Sequence, residues 1–165
     1  MVPFRSFRHG AASAALLAAL LLAGCVTVPA PLQGSYSAAL PSESATHGQP
    51  GERVRWGGQV VGVHNGASES CFEIVGKVLG NDGRPLVHDR SEGRFIACRG
   101  GFYDPEVFKA GREVTVVGTV NRFESHRIGD FDYRYPIVMA DVVYLWPERK
   151  DVDVIVEHGW YNWWW

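Results

Sequence analysis

The spacing of apolar positions changes along the chain, and each change predicts a different structure. Residues 11–23 form an almost unbroken apolar run behind Arg5 and Arg8, the tripartite pattern of a secretory leader. As a helix that run spans about 20 Å, short of the roughly 30 Å hydrocarbon core, so a permanent membrane span is not expected. From residue 52 onward the pattern is that of strands. Val54–Val63 is β-rich, with Gly57-Gly58 predicting a bulge or bend. Ser70–Leu79 sets Phe72, Ile74 and Val78 against Glu73 and Lys77, the period of two of a half-buried strand. Gly93–Cys98 reads as the next strand. Glu113–Asn121 carries Val114, Val116, Gly118 and Val120 on one face, and Pro136–Trp146 carries Val138, Ala140, Val142, Tyr144 and Trp146 on one face. Val152–Val156 is a last candidate.

Turn signals separate these strands at His64-Asn65-Gly66 and Asn81-Asp82-Gly83. Asp104-Pro105-Glu106 has the cap, first-turn proline and first-turn acid of a helix start, and Gly111 ends that helix early. The order is three strands, a short helix and two strands. It predicts a mostly β fold, a small OB-like antiparallel barrel of five to six strands with one short helix. Residues 1–24 are the leader, 25–51 a flexible tether, 52–157 the barrel and 158–165 an aromatic tail. The tether reading rests on composition: Pro29, Pro31, Pro41 and Pro50 punctuate residues 26–50, and Glu43 is their only Asp, Glu, Lys or Arg. Such a stretch buries too little apolar surface to offset its ordering entropy. The alternative is docking on the barrel through Leu32, Tyr36 and Leu40.

Charge and cysteine content narrow the function classes. Arg5 and Arg8 belong to the leader, so residues 25–165 keep 14 of the 16 Lys and Arg against all 18 Asp and Glu, a formal charge of −4. An acidic domain lacks the basic footprint that nucleic acid requires, and no nucleic-acid partner is expected. An exported chain meets an oxidising compartment. Cys71 opens one predicted strand and Cys98 closes the next, so a hairpin between them brings the two opposite each other. They are read as a structural disulfide, with free buried thiols or a redox-active or metal-binding pair as the alternatives.

Candidate chemistry is sparse. His47, His64, His88, His126 and His158 show no ligand spacing, and neither a metal nor a cofactor is expected. No Walker loop, dinucleotide fingerprint or nucleophile elbow occurs, and Asp130 and Asp132 have no third catalytic partner. No catalytic residue is assigned and the chain is read as non-enzymatic. The segment 122–135 interleaves Arg122, Arg127 and Arg134 with Phe131, Tyr133 and Tyr135 before the last barrel strand. In OB folds this connection flanks the ligand face, where such residues stack on bases or sugars. The plainer reading is a long hairpin with aromatics over the barrel end and charges in water. Trp160, Tyr161, Trp163, Trp164 and Trp165 suit a membrane interface, a return onto the barrel, or a protein or glycan partner.

Leu22-Ala23-Gly24-Cys25 resembles the lipobox of bacterial lipoproteins. The resemblance implies cleavage before Cys25, a diacylglyceryl thioether on its sulfur and a palmitate-like acyl chain on its amine. With Val26 rather than Asp next, it implies the outer membrane. Four further stretches extend the resemblance: Pro31-Leu32-Gln33-Gly34, Arg55-Trp56-Gly57-Gly58-Gln59-Val60, Gly100-Gly101-Phe102-Tyr103-Asp104-Pro105 and Val116-Val117-Gly118-Thr119-Val120. With the lipobox they resemble the Slp family of starvation-inducible outer-membrane lipoproteins. That family implies an outer-membrane lipoprotein linked to stationary-phase or stress physiology, and it supplies no catalytic residues. The leading expectation for this chain is a lipid-anchored domain on the periplasmic face, with a structural or stress-response binding role and an envelope partner. An OB-like module for envelope oligosaccharide or peptidoglycan is the second reading. The Cys71/Cys98 pair and the tryptophan-dense ending depart from the family pattern.

Overall fold

A computed structural model describes residues 27–149. Cys25, the leader, the candidate strand Val152–Val156 and the aromatic tail lie outside the described residues. Five strands, β1 (Arg53–Asn65), β2 (Glu69–Lys77), β3 (Arg94–Gly100), β4 (Glu113–Ile128) and β5 (Phe131–Leu145), close into a barrel. Their order around the barrel is β1-β2-β3-β5-β4. The consecutive pairs and β1–β4 are antiparallel, and β3–β5 closes the barrel in parallel through Ile96↔Ile137 and its neighbours. This is the OB arrangement expected from the strand order.

The alternation read from the sequence fills the barrel. Val54, Trp56, Val60, Phe72, Ile74, Phe95, Val114, Val116, Val120 and Val138 form one buried core. Gly57-Gly58 does not bulge; the β1–β2 register shifts later, between Val60 and Gly62. These glycines serve close approach instead, since a Cβ on Gly58 would overlap the Val75 carbonyl oxygen.

A second register shift corrects the expected face of β5. Val117 pairs with Val142 and Gly118 with Ala140, leaving Asp141 as an extra residue on β5. One extra residue reverses the sidedness of everything beyond it. Val138 and Ala140 therefore belong to the barrel core with Val143 and Leu145, whereas Val142, Tyr144 and Trp146 gather outside with Val117.

That outward apolar patch explains the behaviour of residues 27–51, which lie against the barrel rather than forming a free tether. Leu32 is fully buried among Val117, Trp146, Val142 and Tyr144, in a short 3-10 turn (Ala30–Leu32). The segment also satisfies its polar backbone on the barrel: Arg55 donates to the Leu32 carbonyl, the Trp56 indole to the Ala39 carbonyl at 2.7 Å, and the Ser37 amide to Arg53. Tyr36 sits under the Arg55 guanidinium and Leu40 is half-buried.

The helix also falls in this segment. Pro41–His47 forms α1, with Pro41 in its first turn and the Glu43 carboxylate accepting from the Leu40 amide at 2.9 Å. At Asp104 the predicted cap does form, accepting from the Glu106 amide at 2.9 Å, but the chain makes only a turn. Gly111, at positive φ, must already donate to the Val60 carbonyl to start β4, which leaves too few residues to propagate a helix.

Candidate ligand cleft on the outer face of the barrel

β4 and β5 run on past the barrel as a two-stranded ribbon, paired from Arg122↔Ile137 to Ile128↔Phe131, with Gly129 in the tip turn. Residues 122–128 and 131–135 are therefore strand joined by a tight turn, not a long loop, in line with the plainer hairpin reading. The ribbon folds over the outer face of β2 and β3 and leaves a cleft of about 380 Å³. His64 at the end of β1 closes one side, and Cys71, Glu73, Arg94 and Ile96 form the floor. His126, Arg127, Ile128 and Tyr135 come from the ribbon.

The cleft is organised around one carboxylate. Arg94 approaches Glu73 at 2.6 Å, and the buried Tyr135 hydroxyl donates to the same Glu73 oxygen at 2.8 Å. Tyr133 accepts from the Arg94 amide at 2.9 Å, so two tyrosines of the ribbon are fastened to neighbouring strands. The Tyr133 and Tyr135 rings meet edge-on at 5.0 Å, and His126 packs on Tyr135 at 5.4 Å. Burial, then the Glu73 carboxylate, pushes the Tyr135 phenol up to about 12. Burial opposes the Arg94 charge, but hydrogen bonds to Glu73 and Tyr135 outweigh it and hold the guanidinium above its ordinary value. On the ribbon, Arg122 and then His126 hold Glu124 below the usual carboxylate range.

Cys71 and Cys98 are directly opposite in the β2–β3 register, Cα to Cα 4.0 Å, and their sulfurs are bonded. The disulfide backs the cleft beside Tyr135 and Ile137. Glu69 lies near the two sulfurs, but a disulfide has no thiolate to offer a metal.

Of the residues singled out in 122–135, Arg127 and Tyr135 line the cleft and Tyr133 braces it. Phe131 is exposed at the ribbon tip, Arg122 pairs with Glu124, and Arg134 stacks on Phe123 at 4.2 Å on the opposite face. Sequence reasoning missed His64, Glu73, Arg94 and Ile96. Glu73 was visible as an outward strand position, but nothing local marks it as the acceptor for a tyrosine 62 residues away.

Comparison with known proteins decides the lineage. The model of the outer membrane lipoprotein Slp family matches residues 22–165, nearly the whole chain. The chain belongs to this family. It is 34% identical to the uncharacterized lipoprotein YeaY of Escherichia coli K12, over 81% of this chain and 71% of that one. It is 29% identical to the outer membrane protein Slp of the same strain, over 87% and 76% respectively. An uncharacterized Haemophilus influenzae protein is 32% identical over 76% of this chain and 70% of its own length. No solved structure matches the chain significantly. Membership of the Slp family places the protein among outer-membrane lipoproteins and agrees with the order of motifs that begins at the lipobox.

Proposed function

We propose that this Slp-family protein is held on the periplasmic face of the outer membrane by lipid on Cys25, and that it acts there by binding rather than by catalysis. The ligand class is a carboxylate-bearing envelope oligosaccharide of the peptidoglycan kind, taken into the cleft between the β2–β3 face and the ribbon. One observation carries this reading. In a chain whose mature part is acidic, Glu73 is the one carboxylate lining a cleft that also presents Arg94, Arg127, His64 and His126, with Arg127 and His126 steadied by Asp130 and Glu124 on the ribbon. A concave surface rich in N–H donors with a tyrosine ring in its wall suits an anionic sugar polymer. The position is the one OB folds use for oligosaccharides.

The same geometry argues against chemistry. Glu73 is engaged by Arg94 and Tyr135 together, and the high Tyr135 pKa makes that phenol a donor rather than a base. A role in envelope integrity or the stress response follows from retaining such a polymer at the membrane. Sedimentation with isolated peptidoglycan tests the reading: the folded chain co-sediments and Arg94→Ala reduces the bound fraction. Equal recovery of wild type and variant, or no recovery of either, contradicts it.

A further inference from the structure

A second concavity, about 460 Å³, opens at the opposite end of β4 and β5. Val87, Lys109, Arg112, Trp146 and Arg149 are among its walls. Arg84 enters from behind, its guanidinium over the Trp146 ring at 5.6 Å. These four cations face two carboxylates: Glu113 pairs with Arg84 and Arg149, and Glu148 with Arg112 and Lys109. The basin keeps a positive excess within an acidic domain, and its rim is apolar and wet. Val87 is 72% exposed, with Leu86 beside it and Val107 two residues before Lys109 also exposed.

Both ends of the described chain converge here. Val28 packs with Leu32 and Trp146 and lies against Gly83. It lies three positions after Cys25, a reach of at most about 10 Å. At the other end the chain leaves the described residues at Arg149, on the basin rim, and the Trp160–Trp165 segment follows in sequence.

We infer that this end of the barrel rests on a phospholipid surface with anionic headgroups, Val87 and its apolar neighbours touching the interface and Lys109 and Arg149 the phosphates. The inference rests on lipid attachment at Cys25. A lipid three residues from a docked valine cannot let the barrel tumble freely, so some face must meet the leaflet, and this is the face the anchor delivers. Cations beside apolar side chains supply the second signal that stabilises an acylated protein on a membrane. The strands then carry the ribbon and its cleft away from the lipid, over roughly 50 Å of β4 at about 3.3 Å per residue.

The test uses the lipidated mature chain on vesicles of phosphatidylethanolamine with phosphatidylglycerol, and on neutral phosphatidylcholine vesicles. Flotation reads anchoring, and amide hydrogen exchange reads orientation. The expected result is flotation with both, with exchange over 84–88, 107–112 and 146–149 slowed several-fold on the anionic vesicles and the ribbon tip unchanged. Val87→Glu and Lys109→Glu, both at exposed positions, remove the slowing while flotation persists. Flotation without slowing at the basin, or with slowing confined to the ribbon, overturns the orientation and leaves the anchor standing. Failure to float overturns both.

Discussion

The Tyr135 hydroxyl donates to Glu73 at 2.8 Å, tying the β4–β5 ribbon to the outer face of β2. That bond and its companion from the Arg94 amide to Tyr133, with the packing of Ile128, Tyr133 and Tyr135 against Ile96 and the Cys71–Cys98 pair, hold down a two-stranded hairpin that has little stability of its own in water. The cleft exists because the ribbon is held down.

Tyr135→Phe removes the tie while keeping the ring. Glu73 retains Arg94, so no charge is stranded, and the expected cost is about 1 kcal/mol. Urea unfolding checks the loss, and hydrogen exchange should show ribbon amides freed ahead of the barrel.

Alkaline pH should act on the same bond. The folded Tyr135 pKa, about 12, lies above its ordinary value of 10.0, so its contribution to stability is complete below pH 10 and fades as pH rises through 12. Ultraviolet titration of phenolate absorbance should show a late-ionising step from Tyr135. Tyr135→Phe removes that late step.

The Cys71–Cys98 disulfide joins residues 27 apart in sequence. A Cys71→Ser/Cys98→Ser chain is expected to lose about 2–4 kcal/mol relative to the oxidised protein. Reductant should lower the wild-type unfolding midpoint towards the double variant and leave the variant unchanged.

Leu32→Ala opens a cavity between the docked segment and the outward patch around Val117 and Trp146, at a cost of about 3 kcal/mol. Denaturant unfolding reads the change. An unaltered midpoint would mean that residues 27–51 behave as a free tether.

The barrel was legible because period-two alternation over β1–β5 reflects a core that local sequence encodes directly. Two residues escaped that logic. Asp141 is an inconspicuous bulge, yet it turns Val142, Tyr144 and Trp146 outward, and only then does Leu32 acquire a surface to cover. Composition alone reads the Leu32 segment as tether, since one buried leucine and a few backbone hydrogen bonds leave almost no mark on it. The cleft was half legible. Tyr133, Tyr135 and Arg127 stand out as interleaved aromatics and cations, whereas Glu73 and Arg94 look like solvated strand positions until β5 pairs with β3 and the ribbon folds across them.

Residue-resolved NMR of the folded chain, titrated with soluble carboxylate-bearing peptidoglycan fragments, tests the central claim most directly. Saturable shifts centred on His64, Glu73, Arg94, His126 and Tyr135 are expected, weakened by Arg94→Gln. Shifts absent from the cleft, or centred instead on the Val87–Arg149 basin, would contradict it.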